Sequence, residues 1–186
     1  MKNDNDFGVQ FYLNFEDEFS NLSADQQVHI NVFMCFRLST ICEDLNLVNL
    51  EKLHEIEMLI VDQTSKLTKS ISELASNQAE QEALNSPNSP DQALLIGYWS
   101  IVSYFFKFYL TQDQTYTKYI FIAYTNAIDE FLYGLRHSKI KLEEKNLKIA
   151  FKIVKSNRSI DMTDWMTWAK SAKIGETLND FSSITT

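Results

Sequence analysis

Glycine and proline are almost missing from this chain: four and two respectively in 186 residues, against roughly 12% of an average protein. Sandwiches, barrels and meanders need those residues in their turns, so an all-β fold is all but excluded. With so little glycine there is also no G-x-G-x-x-G and no G-x-x-x-x-G-K-[ST], the loops that cradle phosphate in nucleotide enzymes. Cysteine is equally scarce. Cys35 and Cys42 lie seven apart in a segment that reads as helix, about 10 Å at 1.5 Å per residue. That is beyond the reach of a disulfide, and both are expected as reduced thiols in the core. Positive charge is under-represented, with 17 Lys and Arg against 25 Asp and Glu and a net charge of −8. A polyanion is repelled by nucleic acid and by anionic membranes, so neither is expected as a partner, and basic or neutral partners are favoured. The opening residues Met1 to Asp6 have no basic stretch followed by an apolar run, so no secretory leader is read there and a cytoplasmic location is expected.

What is present is apolar residue at helical spacing. Between 7 and 19, Phe7, Val9, Phe11, Leu13 and Phe15 alternate as in a strand, while Phe11, Phe15, Phe19 and Leu22 recur as in a helix; the helical reading is preferred. Ser23 and Gln26 form a capping box ahead of a second helix that extends to about Leu45. A third starts at Asn49 and carries the stripe Leu53, Ile56, Ile60, Leu67, Ile71 and Leu74 to about Ala83. Both prolines fall in residues 85–91, which must interrupt any helix. This loop also starts the next helix, with Ser89 as cap, Pro90 in the first turn and Gln92 closing a second capping box. The stretch from Leu94 to Leu110 is apolar nearly all round and reaches the lower length limit of a membrane span. Ser100, Ser103 and Lys107 interrupt it and no Lys/Arg cluster flanks it, so it is expected as the buried centre of a bundle. A fifth helix ends near Gly134, a sixth covers Lys139 to Lys155, a last begins at Asp161, and residues 176–186 read as an irregular tail. The fold expected is all-α: one domain over 1–186, a bundle of six or seven helices around a buried central one.

Catalytic chemistry has few candidates. Glu51 and His54 have the E-x-x-H spacing that places a carboxylate and an imidazole on one helical face. Di-iron bundles need that motif twice, with further glutamates, and no second copy exists here. Glu51, His54, Glu55 and Glu57 therefore read as a solvated helix face, and a metal-binding protein or helical enzyme using Glu51, His54 and Glu57 is the alternative. His29 reads as a partly buried structural histidine, and His137 as a cation suited to a helix C-terminus. No local signature of a cysteine hydrolase surrounds Cys35 or Cys42. Asp129-Glu130 and Glu143-Glu144 are neighbours that point to different sides of a helix, unlike the facing carboxylates of glycosidases. No catalytic residue, metal or cofactor is expected.

Charge is the stronger signal. Residues 139–158 hold seven basic side chains against two acids, whereas residues 43–91 hold ten acids against three lysines. An acidic face several turns long steers a basic partner and accelerates its association. Glu51, Glu55, Asp62 and Glu73 are the expected partner-binding residues, with nearby apolar groups as the desolvated centre; a structural homo-oligomer pairing through the third helix is a further alternative. A compact, acidic, cysteine-poor helical chain of this kind, rich in Asn, Ser and Lys, resembles the bacterial immunity proteins that neutralise toxins delivered by contact-dependent or type VI systems. The resemblance implies a non-enzymatic inhibitor that binds a toxin domain in the cytoplasm and covers its active site. The run from His29 to Asp44 is also similar to the early helix of an uncharacterised family of small helical bacterial proteins, which implies a fold and no function.

Overall fold

The computed structural model describes residues 15–47, 50–61, 69–85, 90–133, 137–156, 159–173, 176–178 and 181. Among them there are eight helices and no strand: α1 (15–20), α2 (Ala24–Asp44), α3 (Leu50–Val61), α4 (Lys69–Asn85), α5 (Pro90–Thr111), α6 (Thr115–Tyr133), α7 (His137–Ser156) and α8 (Met162–Lys170). The all-α class is as expected. The count exceeds six or seven because the stretch read as one long third helix holds two, α3 and α4, with different neighbours: α3 packs on α2 and α8, α4 on α5. Residues 62–68 between them, and 7–14, which carry most of the alternating pattern, lie outside the described residues; 15–20 is helical.

Local chemistry sets the helix ends. Ser23 and Gln26 make the expected capping box: the Gln26 N–H donates to Ser23 Oγ at 3.3 Å and the Ser23 N–H to Gln26 Oε1 at 3.0 Å. Asp161 caps α8 by accepting from the N–H groups of Thr163 and Asp164. At the end of α2, Asn46 takes φ 54°, and the N–H groups of Asn46 and Leu47 close onto the carbonyls of Glu43 and Cys42. Asparagine tolerates that left-handed position, and the paired bonds are a Schellman ending. The loop expected at 85–91 is shorter than read, since Asn85 belongs to α4 and Pro90 and Asp91 to α5. Residues 86–89, with the Ser89 cap, and Gly134 lie outside the described residues.

α5 runs between α4 and α6 and also against α2. Gly97 brings it close to α6, because a Cβ there would collide with the Cβ of Ala127. By length and composition α5 is the one helix among the described residues apolar enough to cross a membrane, and 56% of that window is buried inside the domain. A second helix shares the centre. Every residue of α2 from Ile30 to Cys42 is buried, because α3, α5, α6, α7 and α8 surround it. Its aromatic neighbours include Trp165 and Trp168 of α8, stacked at 4.8 Å, with Phe33 beside both. The segment beyond 175 is irregular where described, as expected, but it is not loose. Asn146 accepts from the Leu178 N–H and donates to the Glu176 carbonyl, and Phe181 meets both tryptophans edge-on.

Total enclosure of α2 requires that its polar side chains find partners. Arg37, fully buried, donates from Nη2 to Glu143 Oε1 at 2.5 Å and from Nε to Oε2 at 3.2 Å. Its Nη1 reaches the carbonyls of Ala169 and Ala172 at 3.0 and 2.6 Å. Burial alone would lower the guanidinium pKa, but Glu143 outweighs it and holds Arg37 above its ordinary value. Arg37→Met strands a buried carboxylate and should cost about 3–5 kcal/mol in urea unfolding. The double variant R37M/E143L should regain part of that, yet remain about 2 kcal/mol below the parent because two carbonyls lose their donor.

Candidate interaction surface

α3 separates its polar residues by face. Glu51, His54, Glu55 and Met58 are exposed, and their spacing of three and four residues places them side by side. Met58 is 46% exposed, an apolar group among carboxylates. Ile56, Glu57 and Ile60 point inward and are buried. The solvated-face reading therefore holds for Glu51, His54 and Glu55 and fails for Glu57, which retains 3% of its surface.

Glu57 is buried because it is matched. Lys170 of α8 donates to both carboxylate oxygens at 2.8 and 2.9 Å, and Ser39 Oγ of α2 donates to Oε1. Lys170 also approaches Glu43 at 3.4 Å. One carboxylate thus ties α3 to α2 and α8 and fixes which side of α3 faces solvent. A signal for this was present: Glu57 sits four residues after Leu53 and three before Ile60, inside the apolar stripe. A carboxylate in that register must either break the stripe or bring a cation, and the cation lies 113 residues away. No local pattern could name it.

Three of the four residues expected to bind a partner are described, and these do not share one helix. Glu51 and Glu55 share the outer face of α3, whereas Glu73 is exposed on α4 beside Leu74, which is 71% exposed. Asp62 lies outside the described residues. Nor do Glu51, His54 and Glu57 form a donor set, since Glu57 is turned inward and held by Lys170. No group of three or more His, Cys, Asp or Glu side chains converges as a metal site among the described residues. His29 is partly buried, its Nδ1 2.7 Å from the Asp25 carbonyl and its own carbonyl accepting from Trp165 Nε1. The side chains of His137, Asp129 and Glu130 lie outside the description. Glu143 and Glu144 do diverge, to Arg37 and to Lys148.

No protein-family model, curated protein or solved structure matches the chain.

Behind this junction the two thiols are free and buried. Burial pushes Cys42 from 9.0 up to about 12 and raises Cys35 further, with Glu57 and Cys42 adding to the effect. The buried phenols of Tyr98 and Tyr124 are likewise raised. These groups hold their protons more tightly folded than unfolded. The stability they contribute is complete below pH about 9 and is lost as pH rises through about 12, because the unfolded chain then ionises first. Urea midpoints should therefore fall progressively above pH about 9. Iodoacetamide at pH about 8.5 should leave both thiols unmodified in the native protein and alkylate both in urea.

Proposed function

We propose that this chain is a stoichiometric protein-binding inhibitor, a cytoplasmic immunity protein of interbacterial competition that neutralises a toxin domain with a basic surface by occluding it. The observation that carries this reading is the outer face of α3, where Glu51, Glu55 and Met58 are exposed in one row. Such a face combines the two contributions an inhibitor needs. The carboxylates raise the encounter rate with a cationic partner, and the apolar side chain at the end of their row supplies contact that gains once water is expelled. Because Glu57 is clamped by Lys170 and Ser39, the face is preorganised, and little ordering entropy is lost on binding.

The inhibitor acts by covering its target and transforms no substrate. The test is binding to, and protection from, the toxin-like product of the neighbouring reading frame. E51K/E55K should slow association at low salt by tenfold or more with little change in dissociation, whereas Met58→Asp should speed dissociation. Absence of affinity for any adjacent gene product, or turnover of a small substrate by clean preparations, would overturn the reading.

A further inference from the structure

The acidic face of α3 leaves a feature of the opposite sign unexplained. On α7, Lys141, Lys145, Lys148, Lys152 and Lys155 are all exposed, and intervals of four, three, four and three residues align them on one side. The stripe is about 21 Å long at 1.5 Å per residue. The reverse side, including Glu143, Asn146, Leu147 and Phe151, is buried, so the helix cannot roll the lysines away. Glu143 faces inward to Arg37, which leaves the outer side more basic than the composition of α7 suggests. Lys148 meets Glu144 of its own helix at 3.0 Å and Lys155 meets Glu18 of α1 at 2.6 Å. Exposed pairs of this kind are weak. Lys141, Lys145 and Lys152 have no carboxylate partner among the described residues. Aligned like charges at these spacings disfavour a helix, and the packed inner side must offset that.

We propose that this stripe is a second docking surface, for an acidic segment of a protein partner whose Asp and Glu side chains lie along a line of matching length. The choice follows from width and surroundings. The stripe is one helix wide, bordered by the carboxylates of Glu18 and Glu144, on a chain of net charge −8. A membrane leaflet or a nucleic-acid duplex is broad and would press against those acids. A single nucleic-acid strand is narrow enough, but such strands are held largely by stacking on aromatic rings. The rings beside these lysines, Phe15 under Lys148 and Phe151 under Lys155, are themselves buried. An acidic peptide needs only the charges, and an extended segment is narrow enough to follow one helix. The proposal is independent of the α3 reading.

Fluorescence anisotropy on the full chain tests it, with a labelled Glu-rich peptide of about fifteen residues as probe and a neutral peptide, an oligothymidine strand and phosphatidylserine vesicles as competitors. The expected result is saturable, salt-sensitive binding of the acidic peptide at low ionic strength. K145E/K152E should weaken it at least tenfold and K145Q/K152Q severalfold, with helicity checked by circular dichroism. No saturable binding of the peptide, equal binding by the two Lys145/Lys152 variants, or tighter binding of the oligonucleotide or the vesicles would overturn it. So would self-association that K145E/K152E abolishes, which would name a second copy of the chain as the occupant.

Discussion

The buried contact between Arg37 and Glu143 sets the terms for the rest of the bundle. Removing a guanidinium from water costs several kcal/mol and is tolerable only with fixed partners on several sides. Arg37 has them: a two-pronged carboxylate from α7 and two carbonyls at the end of α8, where the helix dipole is negative. One side chain therefore fixes the height of α2 against two helices at once. Apolar packing is indifferent to small slides, whereas this arrangement is not, because a shift of one ångström breaks charge-assisted bonds that water cannot replace.

The same demand for internal matching shapes the surface. Of the acids in α3 and α7, Glu57 and Glu143 are drawn inward to cations on other helices. What remains outside is sorted by sign, with carboxylates and a methionine on α3 and lysines along α7. The polarity of the molecule is thus partly a by-product of how its core is satisfied, and the two exposed faces are held rigidly by the buried members of the same helices.

Most of the architecture was legible. Ser23 with Gln26 and Asp161 with Asp164 announce helix starts through local hydrogen bonding, and the central place of Leu94–Leu110 follows from its composition. What could not be read is long-range pairing. Arg37, Ser39 and Thr40 give α2 a polar reading on sides that are in fact buried, because their partners lie on other elements or, for Thr40, in the preceding helical turn. The division of α3 from α4 was missed because Leu67, seven residues after Ile60, keeps the apolar register across the otherwise polar run 62–68, and periodicity cannot tell which neighbour each half chooses. On the outer face of α3, the exposure of Glu51 and Glu55 followed from charge alone. Glu57 was misplaced, since its partner Lys170 is distant in sequence, and spacing does not reveal that Met58 is exposed.

Arg37 also imposes an order on biosynthesis. It is 106 residues from Glu143 and 135 from Ala172, so at translation rates of 5–20 residues per second it waits on the order of ten seconds for its complete ligation. During that interval the nascent α2 carries an uncompensated cation amid Phe33, Phe36 and Ile41, and burying it early would be unfavourable. Enclosing Arg37 before α7 and α8 exist would bury that cation without its acceptors.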